Sequence, residues 1–260
     1  MLGNLTWCAV VVLGGALILV ATWAPRRLLP GSPRPARAGM VILTVVILAV
    51  VLIALVLLVR LRVYDRLDAS VVTTLAAART PGLVAIFTAV TTVGDVVPSL
   101  LAATIVGMAL FARSRRVWEA LILPIAIVVQ LVCQDQLGHL AGVTVAQVDP
   151  GLSVGGAGPI PSGSMSRLFV VFILGAALWQ RHSARAAAGF LLTGQALLLI
   201  ELVSRLYLGR HFLIDIVGGL LFGVLLLLGG TWLLAGIDRA RGSSTAPATE
   251  RPDQKVPGAA

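Results

Sequence analysis

The feature that most constrains this chain is a series of long, almost uncharged apolar runs. A helix needs about 20 such residues to cross the hydrocarbon core of a bilayer. Runs near this length occupy 5–23, 40–59, 96–111, 117–139, 165–179, 186–203 and 212–234, to within a few residues. Because a backbone in lipid must satisfy its polar groups internally, each run predicts a helix. The predicted fold is an all-α polytopic membrane protein with about seven transmembrane helices.

The composition agrees with a membrane protein and excludes other classes. Hydrophobic residues make up 58% of the 260 residues and charged residues 12%, whereas soluble domains have about 45–50% and about 25%. The formal net charge is +9, but the cations lie in short segments between the runs. They do not form a basic stripe with interleaved aromatics, so no nucleic acid partner is expected. Cys8 and Cys133 both lie in apolar runs, which excludes a disulfide framework and a thiolate metal site.

The positions of the cations predict the orientation of the chain. Basic residues collect after the first, third, fifth and seventh runs, at Arg26, Arg27, Arg34, Arg37, Arg113, Arg115, Arg116, Arg181, Arg185, Arg239, Arg241, Arg251 and Lys255. These four segments share one side, and the positive-inside rule makes that side cytoplasmic. We therefore expect a multi-pass cell-membrane protein with its N-terminus outside and its C-terminus in the cytoplasm. The first run precedes its basic residues, which indicates a retained helix and not a cleaved leader.

Two segments are not predicted to span the membrane. Between 60 and 95 the chain is too polar to span, but it carries apolar residues at helical spacing, at Leu75, Leu83, Val84, Ile86, Phe87 and Val90. This pattern predicts helical segments lying on the outer surface, with a plain extracellular loop as the alternative. The tail 238–260 has no periodic apolar face and predicts a disordered cytoplasmic end.

The stretch 204–215, Ser-Arg-Leu-Tyr-Leu-Gly-Arg-His-Phe-Leu-Ile-Asp, places charged residues between two apolar runs, at the predicted outer face. Charges at bilayer depth are costly and usually mark a working site. His211 and Asp215 are four residues apart, so on a helix the carboxylate holds one ring nitrogen and leaves the other free to attack. Arg205 offers a planar fork of donors for phosphate oxygens. The alternative is a structural cluster in which Glu201 pairs with Arg205 and His211 with Asp215.

A second motif, Pro161-Ser162-Gly163-Ser164, opens the fifth run, which enters the membrane from the outer side in the predicted topology. Small residues at a helix start expose backbone N–H groups, and the helix dipole favours an anion there. Proline and serine are also common helix caps. The motif therefore indicates an anion site chiefly because it lies on the same side as Arg205 and His211.

Together these motifs resemble the type 2 phosphatidic acid phosphatase (PAP2) superfamily of membrane lipid phosphatases, which shares its helical core with vanadium haloperoxidases. The family's third motif, Ser-Arg, five residues, His, three residues, Asp, matches in full at Ser204, Arg205, His211 and Asp215, with the familiar glycine at Gly209. The second, Pro-Ser-Gly-His, matches except that Ser164 replaces histidine. The segment 91–95 also resembles the family's outer segment, and the likeness covers roughly 40–236.

The resemblance implies a six-helix PAP2-like core plus an extra N-terminal helix. The expected divisions are 1–37 for the extra helix and its cytoplasmic loop, 38–237 for the membrane domain and 238–260 for the tail. The implied nucleophile is His211, which forms a phosphohistidine, with Asp215 as its orienting partner. The implied phosphate-binding residues are Arg205, Ser162, Gly163 and Ser164. No metal and no cofactor is implied, and the partners are the lipid bilayer and a membrane lipid phosphate or prenyl diphosphate; the oligomeric state stays open.

The chain departs from the family in two motifs. The first, Lys, six residues, Arg-Pro, is absent from 130–139, which reads Gln-Leu-Val-Cys-Gln-Asp-Gln-Leu-Gly-His. A near match at Arg27, Arg34 and Pro35 lies on the opposite side in the predicted topology. Ser164 removes the family's general acid, and such an acid is typically worth about 10²–10⁴ in rate. Because a phosphate leaving group needs less help than an alkoxide, we predict a preference for a lipid diphosphate over a monophosphate.

Four residues are candidates to replace the missing groups. Asp135 and His139 share a helix face and would supply an acid and a base, while Arg167 and Arg210 would supply cations. The alternatives are interhelical hydrogen bonds for Gln130, Gln134 and Asp135, an interfacial position for His139 and lipid-headgroup contacts for the two arginines.

Three functions are compatible with these motifs. The leading one is an integral membrane lipid phosphatase or diphosphatase acting at the outer leaflet. The second is a catalytically inactive relative that binds a phospholipid headgroup or a partner protein, which the missing first motif favours. The third is a phosphoryl or headgroup transferase, in which an alcohol and not water resolves the intermediate.

Overall fold

A computed structural model describes residues 35–61, 77–141 and 160–244, with isolated residues between 12 and 19 and between 71 and 75. The regular elements in this part of the chain are helices: α1 Pro35–Arg60, α2 Pro81–Thr91, α3 Val96–Ser114, α4 Val117–Ala141, α5 Gly163–Trp179, α6 Ala184–Tyr207 and α7 Leu213–Ser244. The 3₁₀ turn Thr92–Gly94 joins α2 to α3. Within α5, the six residues Phe169–Leu174 are π-helical.

Five helices contain stretches long and apolar enough to cross a membrane, namely Ile42–Arg60, Val96–Ser114, Val117–Ala141, Ala184–Tyr207 and Leu213–Asp238. α5 is a shorter apolar helix. Six of the seven predicted spans therefore coincide with helices, while the first, 5–23, lies largely outside the described residues. The prediction of an all-α, multi-pass membrane protein is confirmed.

The core of the bundle is centred on α5. Side chains on all its faces are buried, and α5 contacts α3, α4, α6 and α7. A helix that is apolar all round either lies in a protein core or spans a membrane, and the burial of α5 places it in the interior of the bundle. Two neighbouring helices approach it through glycines, because a Cβ at Gly223 would lie 2.7 Å from Phe169 and one at Gly194 would collide with Phe172. The central position of α5 places its N-terminal cap in the middle of one end of the bundle.

The other end of the bundle is held together by charged side chains. Arg116, between α3 and α4, lies 3.8 Å from Asp238 of α7, and Arg181, between α5 and α6, lies 2.9 Å from the same carboxylate. Glu119 contacts His182 at 2.8 Å. The basic segments after the third, fifth and seventh runs thus share one end, as the predicted topology requires, and the cytoplasmic assignment of that end stays a prediction.

The helix α2 lies across the end of α6 that carries the third motif. The hydroxyl of Tyr207 donates to the carbonyl of Ala78 at 3.0 Å and accepts the N–H of Thr80 at 2.8 Å. Phe87 packs edge-on against the Tyr207 ring, with centroids 4.9 Å apart. A helical segment is thus present where the pattern between 60 and 95 predicts one. At the other terminus, α7 continues past the predicted boundary at 237 to Ser244, and 245–260 lie outside the described residues.

We predict that Gly107→Ala destabilises the protein by about 1–3 kcal/mol, the usual cost of overpacking. α3 and α4 are joined by a two-residue turn, and a Cβ at Gly107 would collide with the backbone oxygen of Ala120. The thermal unfolding midpoint in detergent measures the effect. Gly189→Ala on α6 is the matched control, because nothing lies within 4 Å of a Cβ there. Equal midpoints for the two variants would contradict this close helix contact.

Candidate active site

The end of α6 and the turn that follows it place Arg205, Arg210 and His211 at one end of the bundle. Gly209 has φ 66°, a left-handed conformation that favours glycine. Its N–H donates to Leu206 at 3.1 Å and the N–H of Arg210 donates to the carbonyl of Arg205 at 3.0 Å, which is the Schellman pattern of a helix end. α6 therefore ends at Tyr207, two residues after Arg205, and His211 follows in the turn.

His211 and Asp215 form the pair that their spacing predicts, but by a different local geometry. α7 begins at Leu213, so His211 lies in the turn before the helix and not on its face. The Nδ1 atom of His211 is 3.5 Å from Oδ2 of Asp215, a contact that is not a hydrogen bond. Oδ2 also accepts the N–H of Phe212 at 3.0 Å. Asp215 therefore caps the first turn of α7 and faces the imidazole with the same oxygen.

The cap of α5 rests directly on the first turns of α7. The N–H of Ser162 donates to the carbonyl of Asp215 at 2.9 Å, and a Cβ at Gly219 would lie 2.5 Å from the carbonyl oxygen of Ser162. The second and third motifs are therefore adjacent. Within the expected phosphate cradle, the N–H of Ser162 is already bonded to the protein. The N–H groups of Gly163 and Ser164 lie in the first turn of α5, where a helix offers no internal acceptor.

Arg205 is buried within a network that joins α6 to the α2–α3 junction. Its Nε donates to Glu201 at 2.7 Å, and its Nη2 donates to the carbonyl of Thr91 at 3.3 Å and to Asp95 at 3.2 Å. The Thr91 hydroxyl lies 3.0 Å from both oxygens of Glu201. The pairings of the structural alternative, Glu201 with Arg205 and His211 with Asp215, are thus both present. Nη1 of Arg205 has no hydrogen-bond partner among the described residues.

Arg167 occupies the wall of the site next to the cap. Only 7% of its surface is exposed. Its Nε donates to the carbonyl of Gly94 at 3.0 Å, and its Nη1 lies 3.5 Å from the side-chain oxygens of Gln130 and Gln134. The interhelical hydrogen bonds that were the alternative role of these glutamines are therefore present. They also place both glutamines at the site, although the sequence assigned them no role there.

Arg210 is a second buried cation at this end. Its Nε is buried and has no hydrogen-bond partner in the described part of the chain. Burial lowers the pKa of Arg210 and the neighbouring Arg205 lowers it further, whereas Asp95 and Glu201 oppose these effects. Because Arg167 and Arg210 are both buried, neither lies at the exposed surface of the protein, where the headgroups of the surrounding bilayer would contact it. Arg210 is therefore a buried cation with an unused donor, and Asp95 and Glu201 act on its charge without forming an ion pair with it.

The structure does not bring Asp135 and His139 into this group. Their side chains are 66% and 77% exposed and lie 3.5 Å from each other. The other polar contact of Asp135 is with Gln136 on the same helix. The pair thus forms as its spacing predicts, but its contacts stay on α4. Within the ranges that the structure describes, no group of three or more His, Cys, Asp and Glu side chains could hold a metal ion.

Comparison with known proteins agrees with this arrangement. The PAP2 superfamily model matches residues 129–237, the part that carries the cap, Arg205, His211 and Asp215. Over this region the chain is similar to the PAP2 superfamily. It is also similar to the crystal structure of the first transmembrane PAP2 type phosphatidylglycerolphosphate phosphatase from Bacillus subtilis, with a TM-score of 0.63 and 20% identity over 75% of this chain and 96% of that one. At this identity the likeness shows the PAP2 membrane fold. No curated protein matches the chain.

We predict that the two carboxylates on Arg205 differ in their importance for stability. The Glu201 side chain is 2% exposed and that of Asp95 is 49% exposed. Removing one partner of a buried pair costs about 3–5 kcal/mol, whereas an exposed pair is worth about 0–1 kcal/mol. Glu201→Gln should therefore lower the unfolding midpoint in detergent much more than Asp95→Asn, and a larger loss for Asp95→Asn would refute this ranking.

Proposed function

We propose that this protein is an integral membrane lipid phosphatase or diphosphatase of the PAP2 type that acts at the outer leaflet through a phosphohistidine on His211. One observation carries the proposal. Asp215 faces the imidazole with its side chain and binds the N–H of Ser162 with its carbonyl, so the ring and the α5 cap belong to one site. The similarity to a PAP2-type phosphatase structure supports the same reaction class.

The first chemical step uses Nε2 of His211 as the nucleophile. Nδ1 faces the Asp215 carboxylate, so the neutral ring carries its proton on Nδ1 and its lone pair on Nε2. Nε2 attacks phosphorus, an N–P bond forms, and the P–O bond to the leaving group breaks with its electron pair moving to the leaving oxygen. Asp215 stabilises the positive charge that develops on the ring.

Stabilisation of the phosphoryl oxygens falls to donors that the protein itself leaves available. The N–H groups of Gly163 and Ser164 point out of the first turn of α5, where the helix dipole adds positive potential. Arg205 uses its Nε and Nη2 within the protein and so offers Nη1. Donors held in place before the reaction stabilise developing charge without reorganisation.

The second step releases the phosphate. Water attacks the phosphorus of phosphohistidine, the N–P bond breaks, and its electrons return to Nε2. A proton of the water leaves with the phosphate or passes to solvent, and His211 is restored in its neutral form. The two steps require only water and side chains of this chain.

The proposed substrate is a lipid diphosphate, with a prenyl diphosphate as the favoured example. Ser164 is 2% exposed at the start of α5, and its hydroxyl lies 3.4 Å from that of Ser162. A serine hydroxyl is far too weak an acid to protonate an alkoxide leaving group. A phosphate leaves readily as an anion, so the absence of an acid at this position favours diphosphates. The buried cations Arg167 and Arg210 are suited to the extra negative charge.

A second candidate function is a non-catalytic relative that binds a phosphorylated headgroup. The observation that favours it is the engagement of Arg205, whose Nε and Nη2 are both bonded to protein acceptors. A guanidinium bonded in this way has a structural role in addition to any contact with a ligand. Turnover separates the two functions.

We expect purified protein to release phosphate from lipid diphosphates, and His211→Ala to lower the rate by about 10³-fold or more, because the nucleophile is lost. The assay uses a panel of lipid mono- and diphosphates, with headgroup binding measured in parallel. His182→Gln, at the opposite end of the bundle, is the matched control and should retain activity. Binding without turnover in the wild type would contradict the phosphatase and support the non-catalytic relative. Release that requires an added acceptor alcohol would instead indicate a transferase.

Ser164→His tests the preference for diphosphates. An imidazole at this position supplies an acid for an alkoxide leaving group, and general acid help is worth about 10²–10⁴ in rate. We expect the ratio of kcat/KM for phosphatidic acid to that for a prenyl diphosphate to rise by about 10-fold or more. Ser164→Ala, which adds no acid, should leave the ratio unchanged. A folded Ser164→His protein with the wild-type ratio would show that the missing acid does not set the preference.

A further inference from the structure

Arg167 carries a buried charge that the protein surrounds with neutral groups. Its hydrogen bonds are to the carbonyl of Gly94 and to the amide oxygens of Gln130 and Gln134. Among the described residues it forms no ion pair with a carboxylate, and its Nη2 has no hydrogen-bond partner. A buried cation without a counter-charge is costly. Asp95 and Glu201 act on this charge only from a distance, so an anionic ligand would supply a direct counter-charge.

The two glutamines are arranged to hold this guanidinium. They lie one turn apart on α4, and Nε2 of Gln130 donates to Oε1 of Gln134 at 2.7 Å. Gln130 is 0% exposed. Both amide oxygens face Nη1 of Arg167, while the carbonyl of Gly94 accepts from Nε. Two of the three guanidinium nitrogens are therefore held by separate parts of the chain. Nη2 is the remaining nitrogen, and the contacts of the other two set its direction.

The held guanidinium lies against the cap of α5. A Cβ at Gly163 would collide with Oε1 of Gln134 and would lie 2.6 Å from Nη1 of Arg167. A Cβ at Gly94 would lie 2.7 Å from Cβ of Ser164. Both glycines therefore let Arg167 and its partners approach the first turn of α5. The guanidinium of Arg167 thus lies beside the first turn of α5.

The geometry points to a second phosphate-binding element in which Gln130 and Gln134 position Arg167, and Nη2 of Arg167 binds a phosphoryl oxygen beside the cap. This inference rests on the proposed function for its substrate. Arg167 contacts the ligand in this element, and the two glutamines are positioning residues that act through Arg167. The bound phosphoryl group belongs either to a lipid headgroup or to free inorganic phosphate, which share the same chemistry.

Kinetics on a prenyl diphosphate test the element. Arg167→Gln removes a charge-assisted hydrogen bond and should raise KM by about 10–100-fold with a smaller change in kcat, whereas a purely structural arginine would lower the amount of folded protein and leave KM unchanged. The KM of Arg167→Lys, which keeps the charge, should lie between that of the wild type and that of Arg167→Gln. Gln134→Leu keeps the charge but loses its positioning and should raise KM by about 10-fold. Arg185→Gln, an exposed arginine at the opposite end, is the control and should match the wild type.

An exchange variant makes the test sharper. Gln134 and Arg167 are neighbours, so Gln134→Arg combined with Arg167→Gln moves the cation across a contact of 3.5 Å and keeps the composition of the pair. We expect the exchange to recover KM to within about 10-fold of the wild type. An exchange variant no better than Arg167→Gln, together with an unchanged KM in Arg167→Lys and Gln134→Leu, would overturn the inference.

Binding of inorganic phosphate provides a readout that needs no turnover. Phosphate should raise the thermal unfolding midpoint of the wild type in detergent and raise that of Arg167→Gln much less, since a ligand stabilises in proportion to its affinity. An equal rise in both proteins, with KM for the lipid also equal, would refute the element. A change in KM alone would assign it to the lipid headgroup. If no lipid is hydrolysed by the wild type, the proposed function fails, and the phosphate-dependent midpoints still decide whether Arg167 binds an anion.

Discussion

A guanidinium buried at the end of a helix bundle has to be balanced from within the protein, and the position of Arg205 depends on this constraint. Glu201, one turn earlier on α6, supplies the counter-charge at 2.7 Å. The same carboxylate accepts the hydroxyl of Thr91, and Arg205 reaches the Thr91 carbonyl and Asp95. One ion pair therefore attaches the α2–α3 junction to α6. The same segment accepts the hydrogen bond from Arg167 at Gly94, so it contacts both arginines.

Two motifs that lie far apart in the chain are joined by a single residue. Asp215 uses its side chain for the N–H of Phe212 and for the imidazole of His211, and its carbonyl for the N–H of Ser162. Replacing the side chain would remove the first two interactions and leave the third. The relative position of ring and cap thus depends on the backbone of α7, whereas the orientation of the ring depends on the carboxylate.

The sequence predicted the parts of this site that depend on local spacing. The pairs Glu201–Arg205 and His211–Asp215 are each four residues apart, and both form. Asp135 and His139 also form a pair, but spacing does not tell which way a helix face points, and this one is exposed. The bond from Arg167 to Gly94 joins residues 73 positions apart. Such a contact depends on how α5 packs among its neighbours, and hydropathy carries no information on that packing.

The balance of charge connects stability to function at this end of the bundle. Two carboxylates pair with Arg205, whereas Arg167 and Arg210 form no ion pair within the described part of the chain. Cations that repel one another across a buried site raise the free energy of the empty protein. An anion that neutralises them recovers this energy on binding, and more of it is recovered by a ligand with more negative charge. Under the proposed function, we therefore expect the two arginines that lack an ion pair to favour highly charged phosphorylated lipids over singly charged ones, through the same interactions that make the empty site less stable.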